Sequence, residues 1–317
     1  MLAGFLAAAF PDIDFALRLI DTLTYLNWHQ GATHSLVLLP LWGCLVAWLL
    51  ARLMPSYSWR AFYGVAVLGI AIHIIEDVIT AYGVQLLTPL SGWRYAVPLS
   101  FVIDPYFTAI LIIGLAATLL LAEQRLAAIL SLISLGVYIS MQAVLRTQAV
   151  QFGLTYAQAQ RLEGAISLAL PQPLSPFHWK VIVRHGDNYH EALIDLLGQA
   201  GKLPSHTPDG LIGKLKARYE PLAIAHWCYH TRFGDDQSHS RLVRSVWEDA
   251  ALAEFRRFAQ LPVFDHLEQR GEGLCIWFAD LRFTLPGVTS SFRYGACQSN
   301  NDGHWRLERL RGSFFID

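Results

Sequence analysis

Eight side chains in the first third of the chain carry the candidate chemistry. Three are histidines, His29, His34 and His73, and five are acids, Asp12, Asp14, Glu76, Asp77 and Asp104. All lie at the rims of apolar segments, where ionisable groups are costly and are usually partnered. Imidazole and carboxylate together suit a divalent cation, zinc first by ligand type, with manganese or iron as alternatives.

Spacing sharpens the set. His73, Glu76, Asp77 and Thr80 are spaced i, i+3, i+4 and i+7, which puts them on one helical face. An H-x-x-x-D pair there can chelate one ion; the plainer alternative is a polar stripe that hydrogen-bonds neighbouring helices. His29-Gln30-Gly31-Ala32-Thr33-His34-Ser35 reads as a loop that turns at Gly31 and closes into a helix start. Pro11-Asp12-Ile13-Asp14 offers two carboxylates one residue apart, one as ligand and one as its support, or simply a solvated helix end. Asp104-Pro105 has the form of a helix N-cap and can also serve a metal. The expected metal set is Asp12, His29, His34, His73, Asp77 and Asp104, with Glu76 and Asp14 as the expected catalytic acids and bases. Arg94 reads as a headgroup anchor, or as a partner for a substrate phosphate or carboxylate.

The elements that must position these groups are membrane helices. The chain has 317 residues, 54% of them hydrophobic and only 15% charged, against about 25% charged in a typical soluble domain. Residues 1–150 hold six Arg, seven acids and no Lys, whereas 151–317 hold eighteen basic and eighteen acidic residues. The reading is an all-α membrane bundle with about four transmembrane helices and a partial N-terminal one, followed by a small α+β soluble domain. The spans are Leu36–Met54, Ala61–Tyr82, Val102–Leu121 and Leu126–Leu145, each near the length a bilayer requires. Residues 1–10 read as the tail of an apolar helix that starts upstream. Arg52, Arg60 and Arg125 fall on one side of these spans, which the positive-inside rule makes cytoplasmic. The polar cluster and the C-terminal domain then face the periplasm.

Three segments follow: a transmembrane metal-site domain over 1–150, a helix and Pro-rich linker over 151–176, and the α+β domain over 177–317. Within the last, 178–185, 273–285, 292–294 and 304–310 read as strands, Tyr189–Gln199 and Ser245–Leu261 as helices, and Gly201–Gly213 as a polar loop. The histidines there, including the i, i+4 pair His226 and His230, read as ordinary surface or core residues. The four cysteines show no disulfide framework and read as small buried hydrophobes. A net charge of −1 gives no field for nucleic acid. No P-loop, G-x-S-x-G or nucleotide fingerprint is present.

The pieces PDID (11–14), HQGATHS (29–35), H-x-x-x-D (73–77), TAYGVQLLTPLSGWR (80–94) and FVIDP (101–105) occur together in an order that resembles the bacterial membrane-bound metal-dependent hydrolase family of the YdjM type. PLSPFHWKVIV, the later Tyr189 and the DLR piece at 280–282 resemble a C-terminal extension found in one branch. Gln30 stands where the family pattern has arginine. The resemblance implies a multi-pass bacterial inner-membrane protein.

Taken together, these features lead to the expectation of metal-assisted hydrolysis at the membrane surface, on a lipid or other amphiphilic phosphoester, with the bilayer as partner. The alternative is a non-catalytic scaffold with a structural metal site and a partner-binding soluble domain. The sequence names no protein partner.

Overall fold

The computed structural model describes residues 2–198, 213, 216–271, 273–286, 288, 290, 292–298 and 303–310. The expected polar loop 201–213 lies almost wholly outside the described residues. The chain divides into two compact units, Met1–Pro98 and Leu99–Asp317. The expected domain boundary at 150 falls inside a continuous helix of the second unit.

The first unit is helical. It contains α1 (Leu2–Ala9), a 3-10 helix (Pro11–Leu19), α2 (Thr22–Trp28), α3 (Leu39–Leu53) and α4 (Trp59–Val78). Its core is a seam of small and branched side chains, Ala7 from α1, Val46, Ala47 and Leu50 from α3, and Phe62, Ala66, Ile70 and Ile74 from α4. In α4 the buried residues recur every four positions, so α1 and α3 cover one stripe. The opposite face leaves Val65, Leu68, Ile72 and Ile75 exposed, as a lipid-facing helix requires.

The second unit opens with α5 (Pro105–Leu120) and α6 (Gln124–Ala159), which pack on each other with Gly114 against Ser131. α6 has 36 residues and does not stop at a linker. Its later half packs Leu145 and Ala149 onto Trp179, Val181, Ala192 and Ile194 of a sheet. The helix ends where Arg161 and Gly164 take positive φ.

That sheet holds β1 (Ile166–Pro171), β2 (His178–His185), β3 (Asn188–Asp195), β4 (Glu220–Pro221) and β5 (Trp227–Thr231), in the order β1-β2-β3-β4 with β5 also on β3. The proline-rich end of the expected 151–176 linker is therefore the close of β1 and its connection to β2. The expected helix Tyr189–Gln199 is strand β3 over its first seven residues. Gly186, at φ 62°, turns the chain so that His185 faces Asn188, and β3 is then paired on both sides by β2 and β5. Tertiary pairing overrides the local helical reading.

A second, antiparallel sheet runs β6 (Pro262–Arg270), β7 (Gly273–Asp280), β8 (Arg293–Gln298) and β9 (Trp305–Arg309). The segments 273–285 and 292–294, read as strands, pair as β7 and β8. The expected helix Ser245–Leu261 is instead two, α7 (Gln237–Glu248) and α8 (Ala253–Phe258), broken where the Asp249 side chain accepts from Ala251 N. The cysteine reading also needs correction. Cys275 and Cys297 lie directly opposite on β7 and β8 and form a disulfide, while Cys44 and Cys228 are free and exposed. Four cysteines with unequal spacing hid a pair that only strand register brings together.

Among the described residues two helices, Trp59–Val78 and Gln124–Ala159, are long and apolar enough to cross a membrane. A third span exists if Thr22–His34 and Leu39–Leu53, bent by 83°, count as one. The expected count of four is not reached by this measure, because Val102–Leu121 shortens to the 16 residues of α5 once Asp104 caps it.

Candidate metal centre

The first unit brings His34, His73, Asp12 and Asp77 to one point. His73 and Asp77 sit one turn apart on α4, with His73 Nε2 3.4 Å from Asp77 Oδ2. His34 closes a short 3-10 turn (Ala32–His34) just before α3 and is fully buried. Its Nε2 lies 3.2 Å from His73 Nε2 and 2.9 Å from Asp77 Oδ2. Asp12, on the half-exposed side, places Oδ1 3.6 Å from His73 Nε2. His73 beside it holds the Asp12 carboxyl below its ordinary range, against the opposing effect of partial burial.

The role of His34 Nδ1 follows from its neighbours. Thr33 Oγ1 is 3.0 Å from Asp14 Oδ2 and 2.9 Å from His34 Nδ1. A carboxylate only accepts, so the one hydroxyl proton of Thr33 goes to Asp14. His34 Nδ1 must then be the donor to Thr33, which turns Nε2 toward a second imidazole nitrogen and Asp77 Oδ2. In the neutral ring that Nε2 carries a lone pair.

Asp14 works behind it. The carboxylate is buried and takes three donors, His29 Nδ1 at 2.8 Å, Gln30 N at 3.1 Å and Thr33 Oγ1 at 3.0 Å. It pins the 29–34 loop and orients His34 through Thr33. His29 is held by Asp14 and by its ring, stacked at 4.6 Å on Tyr25 and edge-on to Tyr82. Asp12, Asp14 and His29 also have one atom each within 4.8 Å of one another, though in a different place from the Asp12–His34–His73 grouping. Glu76 is half-buried on α4 and makes no hydrogen bond or ion pair among the described residues. Thr80 caps the end of α4 by donating to Asp77 O at 2.8 Å. Asp104 belongs to the second unit, where its carboxylate accepts from Tyr106 N, Phe107 N, Ser100 Oγ and Tyr138 Oη.

The loop is shaped from behind by the 80–94 stretch, whose role spacing alone did not reveal. Arg94 donates to four backbone carbonyls, Leu26 O, Asn27 O, His29 O and Gly83 O, at 2.7–3.2 Å. It is a clamp on the histidine loop, and neither of the expected roles for it is needed. Gln85 N donates to Gln30 O at 2.8 Å and Tyr82 Oη to Leu26 O at 2.8 Å. Ser35 Oγ donates to Thr88 O at 2.5 Å and accepts from Val37 N and Leu38 N, tying that stretch to the start of α3. Gln30 adopts φ 57°, and a Cβ on Gly31 would sit 2.6 Å from Trp28 O, so glycine is required there. An arginine within a stretch of neutral polar and turn residues was the available signal for the clamp.

Residues 1–149 match the family described as YdjM inner membrane protein. The chain is also 30% identical over 106 residues to the uncharacterized protein YfhP of Bacillus subtilis (strain 168). That stretch is 33% of this chain and 32% of the relative, so the chain matches about a third of that protein's length. No solved structure matches. The stretch that is similar to the YdjM inner membrane protein family, residues 1–149, contains every residue of the cluster.

Proposed function

We propose that the first unit is a metal-dependent hydrolytic centre that works at the membrane surface on an amphiphilic ester. His34, His73 and Asp77 would hold one divalent ion, zinc by ligand type, with Asp12 completing the set. One observation carries the reading: His34 Nε2 is fixed, through Thr33 and Asp14, toward a second imidazole nitrogen and a carboxylate oxygen. In the neutral rings these groups are acceptors, and a cation between them would satisfy them together. The spacing also fits. Four ligands at about 2.0–2.1 Å from a tetrahedral ion lie roughly 3.3 Å apart, and the four pairs above span 2.9–3.6 Å.

The bound ion would supply the Lewis acidity that turns water into a nucleophile near neutral pH. Glu76, on the same α4 face and without a competing partner, takes the proton from the attacking water and returns it to the departing alcohol oxygen. Asp14 is not available as that base, because its oxygens already accept three donors. The exposed side of Asp12 is where a substrate headgroup reaches the centre. A closed structural site in a scaffold is the rival reading, and the half-exposed fourth carboxylate counts against it. The cysteine bridge between β7 and β8 supports an oxidising, periplasmic setting for the C-terminal region.

The test is metal content of the purified full chain, followed by hydrolysis of ester-bearing lipids. One equivalent of metal is expected in the wild type and almost none in His73→Ala and Asp77→Ala. Unchanged metal in both variants would refute the ligand set.

A further inference from the structure

The centre gathers four carboxylates, Asp12, Asp14, Glu76 and Asp77, so even with a divalent ion it repels an anionic substrate. A cation at its mouth would reverse that, and the first unit has four arginines to offer. Arg94 is occupied by four carbonyls. Arg52 and Arg60 lie at the end of α3 and the start of α4, and Arg60 is thirteen residues before His73 on α4, about 20 Å along the axis. Arg18 remains. It is exposed, and among the described residues it makes no hydrogen bond or ion pair. Its guanidinium rests 5.4 Å from the Phe15 ring and 5.8 Å from the Tyr25 ring. Tyr25 stacks on His29, which holds Asp14. Arg18 is therefore seated one aromatic ring away from the residues that orient the centre, with its donors free.

The 3-10 helix that carries Arg18 also carries Asp12, and apolar side chains on it and just after it face outward. Ile13 is 61% exposed, Leu19 90% and the following Ile20 75%. Such exposure of branched side chains next to a charged centre marks a surface made for an apolar partner.

We propose that Arg18 is the substrate-recognition residue of this centre, binding the phosphate of a membrane lipid whose acyl chains lie along Ile13, Leu19 and Ile20. The inference rests on the hydrolytic reading above and adds the substrate class and the residue that selects it. A guanidinium offers a planar fork to phosphate oxygens. The flanking rings hold it in place without using its N–H groups. The phosphate would be gripped on the side of Asp12 and the chains would stay in the lipid.

The experiment uses the full chain, metal-loaded, in phosphatidylcholine nanodiscs. Binding of phosphatidic acid is compared with that of diacylglycerol carrying the same chains, and metal content is measured in parallel. Wild type should prefer phosphatidic acid. Arg18→Gln should lower that preference about tenfold or more, the scale of a lost charge-assisted hydrogen bond, and Arg18→Lys should keep part of it. Arg60→Gln should bind as wild type, and all four proteins should carry the same metal. An Arg18→Gln protein that still prefers phosphatidic acid like wild type overturns the proposal. Inorganic phosphate that displaces the lipid at equal concentration overturns its lipid part. The lipid preference of Arg18→Gln is read against wild type at equal metal, whereas the failure of the hydrolytic reading would appear as metal retained in His73→Ala and Asp77→Ala, so the two failures separate.

Discussion

Two buried polar clusters in this molecule resemble each other in composition and differ in balance. In the C-terminal sheets Lys180 is fully buried, yet its ammonium donates to Leu281 O, Thr284 O and Thr284 Oγ1 and pairs with Glu191 at 3.4 Å. Glu191 in turn meets His230 at 3.2 Å. Arg282 and Asp280 form a buried fork nearby, and Asp280 also accepts from Gln260 N. Every charge there has a counter-charge and every donor an acceptor. Burial pushes the Lys180 ammonium below its ordinary range. Burial also pushes the Glu191 carboxyl up, but Lys180 and His230 outweigh it and hold that carboxyl low. The cluster at His34 and His73 instead sets two imidazoles among carboxylates, with no lysine or arginine paired to them among the described residues. A matched cluster joins two sheets; one balanced only by imidazoles is a candidate for a cation. Histidine and carboxylate content alone does not distinguish them, and donor counting does.

The contrast can be broken in four ways. The largest effect belongs to the matched cluster. Lys180→Met leaves Glu191 buried beside a neutral chain and should cost about 3–5 kcal/mol, seen as a lower thermal midpoint of the C-terminal region; a change under about 1 kcal/mol would mean the lysine is not paired as described. Next, Thr33→Val removes the hydroxyl that fixes the His34 tautomer and should weaken metal affinity about 10–100-fold, measured by competition with a chelator dye. Third, in chelator-treated protein Asp77→Asn should raise the melting midpoint, by about 1 kcal/mol of stability, because it removes one charge from four crowded carboxylates. A loss of stability there would erase the distinction.

The smallest effect is with pH. Burial lowers the pKa of His178, on β2, so the folded region binds fewer protons than the unfolded chain just below the ordinary histidine pKa of about 6.5. Glu191, also held low, contributes stability that is present above about 4.5 and lost as pH falls through its folded pKa. Both have the same sign. The melting midpoint of the C-terminal region should hold steady above pH 7, soften below 6.5 and fall further below 4.5. A midpoint that rises on acidification contradicts both.

The convergence of His34, His73, Asp12 and Asp77 could be anticipated from residue type, helix periodicity and rim position. What sequence alone could not supply was the division of labour within it. Asp14 and Asp12 are two residues apart in an identical chemical setting on paper, and only the fold turns Asp14 inward to three donors and leaves Asp12 half-exposed. Asp104, equally acidic and equally near an apolar helix, caps α5 with all its bonds local or to α6. Strands β3 and β5 were opaque for a related reason: their identity comes from partners distant in sequence. The helical elements were legible because their signal is local, although their lengths were not, since caps such as Asp104 trim a span that hydropathy alone extends.

α6 is a single 36-residue helix whose early turns pack on α5 and whose later turns are part of the core of the first sheet. At 1.5 Å per residue it is a mast of about 54 Å, longer than the roughly 30 Å hydrocarbon layer. There is no hinge between the portion available to lipid and the portion holding the strands. Any tilt imposed at one end must swing the other as a lever. One inserted residue near its middle would turn the attached sheet by about 100° and raise it about 1.5 Å, so the orientation of that sheet is set by helix phase.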